Sequence, residues 1–363
     1  MQDSDNYKHK WGIYRGTGRP AAEIPDVPAA PPWRTAKLSE GNPHALAPPS
    51  FSDSEDIQRA EAYKPHPHTV EMVNAAIYLR RPLLVTGKPG SGKSTLAYSL
   101  ARELALGPVL RWNITSRSTL RDALYAYDAL ARLNDYSIKQ PKDIGEYFSI
   151  GPLGTALLPH TRPRVILIDE IDKCDIDLPN DLLHVLDEGE YTIPELFREG
   201  QTVPAKVWTL DKRQVDITGG RISCREFPLV IMTSNGERDF PAPFLRRCLR
   251  VTIPRLKATE LAAIVDAHLP GGAQEQRSKR MELIEEFFRR SGAGDLLSMD
   301  QLFNAVFLTV GAEAAFTTSA SEQEGAIDEQ SIAAARKRLV SALMRSLNSI
   351  DTPEAPVAEN RNL

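Results

Sequence analysis

The string Gly87-Lys88-Pro89-Gly90-Ser91-Gly92-Lys93-Ser94 constrains this chain more than any other feature, because it fits G-x-x-x-x-G-K-[ST] in full. It follows an apolar run, Pro82–Thr86, and opens a helical pattern, Ser94–Leu106. A strand that passes through a glycine-rich turn into a helix can cradle phosphates. Gly87, Gly90 and Gly92 admit backbone conformations that a side chain blocks, so amide N–H groups turn inward. The positive end of the following helix faces the same space. In such a loop Lys93 reaches the β- and γ-phosphates and the Ser94 hydroxyl ligates Mg²⁺. Lys88, Pro89, Ser91 and Thr95 complete the binding segment.

The second element is VILIDE, Val165 to Glu170. Buried aliphatics ending in two carboxylates put those acids at the carboxyl edge of a central strand, where open α/β sheets bind ligands. Asp169 is then expected to hold Mg²⁺, directly or through water, and Glu170 to orient or deprotonate the attacking water. Alone, the string reads as a strand running into an acidic loop. Paired with the Lys93 loop, at a separation that suits two intervening strand–helix units, it points to hydrolysis of ATP or GTP.

Short apolar runs alternate with helical patterns from His66 to about Pro254, which predicts an α/β layer fold with a largely parallel sheet. The other runs are Val109–Ile114 and Leu229–Thr233, and a further helical stretch is Leu120–Leu133. Beyond Pro254 the pattern is helical, over Ala258–His268, Arg280–Arg290, Met299–Val310 and Ser331–Leu347. The expected division is a Pro-rich extended or disordered arm over 1–63, a nucleotide-binding domain over 64–254, a helical domain over 255–350 and a flexible tail over 351–363. Prolines from Pro20 to Pro49 break any helix or central strand in the arm. Its apolar cluster, Trp11, Ile13 and Tyr14, reads either as a segment packed on the body or as a docking peptide for a partner.

Composition narrows the classes. Hydrophobic residues at 42% and charged ones at 25% suit a globular protein. A net charge of −4 gives no general attraction to nucleic acid. Cys174, Cys224 and Cys248 form no CxxC pair, which argues against a disulfide framework or zinc site and fits a reducing compartment. No run approaches the roughly 20 apolar residues of a membrane span, and the N-terminus lacks the apolar core of a secretory signal. The expected location is the cytoplasm.

DEID, Asp169 to Asp172, followed by Leu182, Leu183 and HVLDEGEYTIPE, resembles the AAA+ superfamily and, within it, the MoxR-like branch. GPLG at Gly151–Gly154, a turn-rich stretch between Glu190 and Phe227 in the place of a hairpin, and LVIMTSN ending at Asn235 before PAPFLRRC extend the likeness. It covers roughly His66 to Arg255. The resemblance implies a P-loop NTPase core with a parallel five-stranded sheet, a helical lid over 255–350, and assembly into a ring, most often a hexamer. Asn235 matches sensor 1, a polar group that places water against the γ-phosphate, although Ser-Asn-Gly is also a good turn sequence. Arg246 and Arg247 match the arginine-finger region, Arg247 aligning better; the bland alternative is an exposed basic cluster with Arg250 and Arg255. Asn113 stands where a switch residue contacts the catalytic glutamate. The sensor 2 arginine is missing, since the chain reads Ser298-Met299-Asp300-Gln301 there.

By this likeness the chain is a MoxR-like ATPase using ATP and Mg²⁺ in a ring to remodel or activate a protein client, such as a von Willebrand A-domain protein. Two alternatives stand beside it. One is a GTPase motor like those of McrB-like restriction systems. The other is a nucleotide-responsive scaffold with little turnover, which the missing sensor 2 arginine favours.

Overall fold

The computed structural model describes residues 11–34, 45–198, 204–254, 258–268, 274–292 and 299–311, together with Arg338, Val340, Ala342 and Leu343. The strands are β1 Leu83–Thr86, β2 Leu110–Asn113, β3 Tyr125–Tyr127, β4 Phe148–Ile150, β5 Val165–Asp169, β6 Glu190–Thr192, β7 Ala205–Trp208, β8 Gln214–Ile217, β9 Arg221–Ser223, β10 Leu229–Ser234 and β11 Leu249–Thr252. The helices are α1 Ser54–Ala62, α2 Pro67–Leu79, α3 Thr95–Glu103, α4 Leu120–Leu124, α5 Ala129–Ser137, α6 Pro152–Ala156, α7 Leu178–Glu188, α8 Pro194–Arg198, α9 Ala242–Arg247, α10 Ala258–His268, α11 Gln274–Gly292 and α12 Met299–Val306. None of the described helices is long and apolar enough to cross a membrane.

The central sheet has five strands in the order β11-β1-β10-β5-β2, every pairing parallel. Its middle strands are buried throughout, β5 over all of VILID and β10 over all of LVIMTS. Parallel strands covered on both faces need such continuous apolar runs, which explains why these two were readable in the sequence. Two apolar clusters flank the sheet. One side holds Ile166, Ile168, Val230 and Met232, the other Leu83, Val85, Leu167 and Ile231. The register aligns Thr86 with Ser234 and Asn113 with Asp169, so the ends of β1, β10, β5 and β2 form one carboxyl edge. The P-loop NTPase architecture expected from the sequence is the one observed.

Three local expectations are corrected. The fifth strand, β11, was not among the predicted runs; its alternating Leu-Arg-Val-Thr pattern befits an edge strand with one exposed face. The helix expected over Leu120–Leu133 is cut by β3, which pairs antiparallel with β4 and stacks Tyr127 on Phe148 at 4.5 Å. Aromatic cross-strand pairs favour the pleated form here. Asp128 then starts α5 afresh, its carboxylate accepting from the Ala131 N–H as an N-cap. The stretch between Glu190 and Phe227 holds an antiparallel β7–β8 hairpin joined to β4, and a separate β6–β9 pair.

The third correction concerns the arm. Its last part is helical: Asp53 caps α1 by accepting from the Glu55 and Asp56 N–H groups, and α1 packs on α3. Upstream, the described backbone is irregular except for a 3-10 turn at Pro32–Arg34, and side chains of the body hold it. Asn74 accepts from the Ile13 and Tyr14 N–H groups and donates to the Tyr14 carbonyl. The Tyr14 ring is 1% exposed, with its hydroxyl 2.9 Å from Ser99 Oγ. Glu103, at the end of α3, accepts from the Arg15, Thr17 and Gly18 N–H groups and the Thr17 hydroxyl. Tyr14 thus belongs to the core beside α3, which leaves no room for a docking role for that ring. Tyr14→Ala is expected to cost about 3 kcal/mol of stability, read as a lower urea midpoint at unchanged slope. An unchanged midpoint would mean that the arm contributes nothing to the fold.

The chain divides into two compact units, Met1–Pro254 and Arg255–Leu363. In the second, α10, α11 and α12 enclose a small core of Leu261, Val265, Ile284, Phe287, Leu302, Ala305 and Val306. The helix expected over Ser331–Leu347 lies outside the described residues except at the four helical positions named above, and the expected tail lies wholly outside them.

Candidate active site

Residues 87–94 join β1 to α3 at the carboxyl edge of the sheet. Gly90 and Gly92 have φ of 74° and 81°, in the left-handed region that glycine alone enters freely. At Gly92 a Cβ would also stand 3.1 Å from the Tyr63 ring, which roofs the loop from the segment between α1 and α2. Lys93 is 7% exposed and its Nζ donates to the Gly87 and Lys88 carbonyls, each at 2.9 Å. Burial lowers its pKa from the ordinary lysine value, against the opposing pull of Asp172, Asp169 and Glu170. The ammonium is thus held inside the loop, close to three carboxylates.

Asp169 closes β5 and is the hub of the site. Its Oδ1 accepts from Ser94 Oγ at 2.6 Å and from Thr233 Oγ1 at 2.7 Å, and its Oδ2 pairs with Arg111 at 2.8 Å. Burial works against the ionised form, but the Ser94 and Thr233 hydroxyls and Arg111 outweigh it, so the carboxyl lies below the usual carboxylate range. A hydroxyl and a carboxylate oxygen in contact are the donor types that Mg²⁺ prefers, and Mg²⁺ completes its shell with phosphates and water rather than a protein cage. Ser94 and Asp169 fit that cation. No group of three or more His, Cys, Asp or Glu side chains suited to a metal gathers among the described residues.

Glu170 follows with φ 62° and ψ 48°, a left-handed conformation that turns the chain sharply out of β5. Its N–H donates to Thr233 Oγ1 at 2.8 Å, so one hydroxyl binds both members of the Asp169-Glu170 pair. The Glu170 carboxylate is half-exposed and pairs with Lys173 at 2.7 Å. That hydrogen bond raises the Lys173 pKa. Asn235 is the first residue after β10, and its N–H donates to Asp172 Oδ2 at 2.9 Å. Asn113 ends β2 in register with Asp169 and is exposed.

The structure therefore brings Lys93, Ser94, Asp169, Glu170 and Asn235 to one edge. Arg246 and Arg247 are elsewhere. They end α9 immediately before β11, whose Leu249 aligns with Leu83 at the start of β1. The Arg246 carbonyl accepts from Arg81, just upstream of β1, and Arg247 Nε pairs with Asp187 near the end of α7 at 2.6 Å. Both arginines thus lie by the amino edge, a strand length of about 10 Å or more from the Lys93 loop. Asp187 also accepts from Arg34 at 3.0 Å.

Sequence reading missed Thr233, Arg111, Asp172 and Lys173 as site groups. Thr233 was visible as a hydroxyl at the end of an apolar strand, and the alternation of Leu-Arg-Trp-Asn already put Arg111 and Asn113 on one face. The pairing of Arg111 with Asp169 needed the order of β2 beside β5. The three cysteines are free and buried, and burial pushes Cys174 up to about 11 and Cys224 and Cys248 to about 12, so no reactive thiol competes as the centre of chemistry.

No curated protein matches this chain. Residues 82–248, from the residue before β1 to the residue before β11, match the family model of the AAA domain, dynein-related subfamily, and this match on a P-loop NTPase fold supports an AAA+ ATPase.

Proposed function

We propose that the chain binds and hydrolyses ATP with Mg²⁺ at subunit boundaries of a ring, a hexamer by its likeness to the MoxR-like branch, and uses the cycle to remodel or activate a protein client. The supporting observation is the gathering of Lys93, Ser94, Asp169, Glu170 and Asn235 at one sheet edge while Arg247 lies by the other. In this reading the loop amides of Gly87–Ser94 and the Lys93 ammonium take the phosphates, Lys93 exchanging the Gly87 and Lys88 carbonyls for phosphate oxygens. Ser94 and Asp169 hold Mg²⁺, which when bound neutralises phosphate charge. Glu170 orients the attacking water and takes its proton, and the Asn235 side chain fixes that water's position. Arg247, released from Asp187, reaches the site of the adjacent subunit. A von Willebrand A-domain protein is the client class that the same likeness suggests.

Titration calorimetry with Lys93→Ala tests the reading. Losing two charge-assisted hydrogen bonds to phosphate should weaken ATP binding by about 100-fold or more, with the fold intact because, among the described residues, Lys93 donates its hydrogen bonds to loop carbonyls. Retained affinity in the folded variant removes the phosphate-loop assignment.

A further inference from the structure

Asp172 has a place in this site that neither the motif spacing nor the family match assigns. It lies in the 3-10 turn Ile171–Lys173, directly after Glu170, and is 2% exposed. Fully buried Ile171 anchors that turn in the core. Asp172 Oδ2 accepts two backbone N–H groups from the other side of the site, Asn235 at 2.9 Å and Glu237 at 3.0 Å. Its Oδ1 is buried with no hydrogen-bond partner. A carboxyl group sunk this deep with one oxygen unsatisfied is costly, and two backbone hydrogen bonds to one strand-end loop are what it gains. The loop has few other restraints. Residues 236–239 are exposed, Gly236 has open space around it at φ 79°, and among the described residues the loop's other hydrogen bonds are Gly236 N–H to Ser234 Oγ and Arg238 to the Cys174 carbonyl.

We infer that Asp172 is a positioning residue for hydrolysis, which fixes the Asn235 loop against the turn that carries Glu170 and so sets where these two groups meet the attacking water. Thr233 performs the matching task one step back, joining the end of β10 to Asp169 and Glu170. With both ties in place, β5 and β10 present their polar ends as one unit. The inference rests on the ATPase reading for its catalytic part, but the tie itself is testable without nucleotide.

The experiment compares Asp172→Ala and Asp172→Asn with wild type in three measurements: turnover, ATP affinity by calorimetry, and hydrogen exchange of the Asn235 and Glu237 amides in protein without nucleotide. The alanine variant is expected to exchange both amides at least about tenfold faster and to turn over about 100-fold more slowly, with affinity within about threefold of wild type. An asparagine oxygen accepts the same two N–H groups, so Asp172→Asn should keep both amides protected and recover at least about tenfold of the lost turnover. Wild-type turnover in Asp172→Ala, or a loss confined to affinity, overturns the inference. So does an asparagine variant that keeps the amides protected yet is as slow as alanine, because charge rather than position would then be the cause. If the alanine variant does not fold, the asparagine variant decides alone: protected amides with turnover within about tenfold of wild type support the tie, and a larger loss overturns it. Wild-type protein that hydrolyses no ATP removes the enzymatic reading instead, and amide exchange still decides whether Asp172 holds the loop.

Discussion

Glu170→Gln is expected to bind ATP at near wild-type affinity and to hydrolyse it about 10²–10⁴ times more slowly, the range a positioned general base supplies. Glutamine keeps the size of the side chain and the backbone bond from the Glu170 N–H to Thr233, so the geometry around Asp169 should survive. What it loses is the ability to take a proton. It also loses the ion pair with Lys173, but that pair is half-exposed and contributes little to stability. Calorimetric titration beside single-turnover phosphate release separates the two effects. Turnover at the wild-type rate would show that another group takes the proton, and the assignment of Glu170 would fall.

The second large effect is expected at Arg247. An arginine supplied across a subunit boundary can contribute about 10³–10⁵ in rate, so Arg247→Ala should bind ATP almost normally and turn over at least about 10³-fold more slowly. Its position by the amino edge, paired with Asp187, puts it beyond reach of its own Lys93 loop. Hydrolysis should then need assembly, with activity per subunit rising steeply with protein concentration. Mixing Arg247→Ala with Glu170→Gln should restore some activity, because certain boundaries pair an intact Glu170 with an intact Arg247. Arg246→Ala is the comparison, since the Arg246 carbonyl is bonded to Arg81 while its side chain is exposed on the same short helix. A concentration-independent rate with no rescue in the mixture would make the chain a self-sufficient enzyme.

Much of the site was legible because phosphate chemistry demands local spacing. Lys93 and Ser94 follow their glycines, and Asp169 and Glu170 follow a buried strand, so neighbours in sequence are neighbours in the site. What stayed hidden was set by pairing between distant segments. Arg111 meets Asp169 only because β2 lies beside β5, and Asp172 meets Asn235 only because β5 lies beside β10. The packing of the arm was legible only as one of two alternatives, for a related reason. Its prolines describe a backbone without regular structure, but not whether Asn74 and Glu103 would supply the hydrogen bonds that such a backbone lacks. Irregular chain buried against side-chain acceptors has no periodic signature.

The left-handed backbone of Glu170 sets two demands against each other at one position. An L-residue held there costs about 1–2 kcal/mol that glycine escapes, and glutamate has no side-chain bond of its own backbone to soften it, as asparagine or aspartate would. A lineage kept only for its stability would drift at this position toward glycine or asparagine. One kept for catalysis must retain glutamate and tolerate the strain. The identity of this residue in related chains therefore serves as a record of whether hydrolysis is still under selection, and it can be read even where the phosphate loop persists for binding alone.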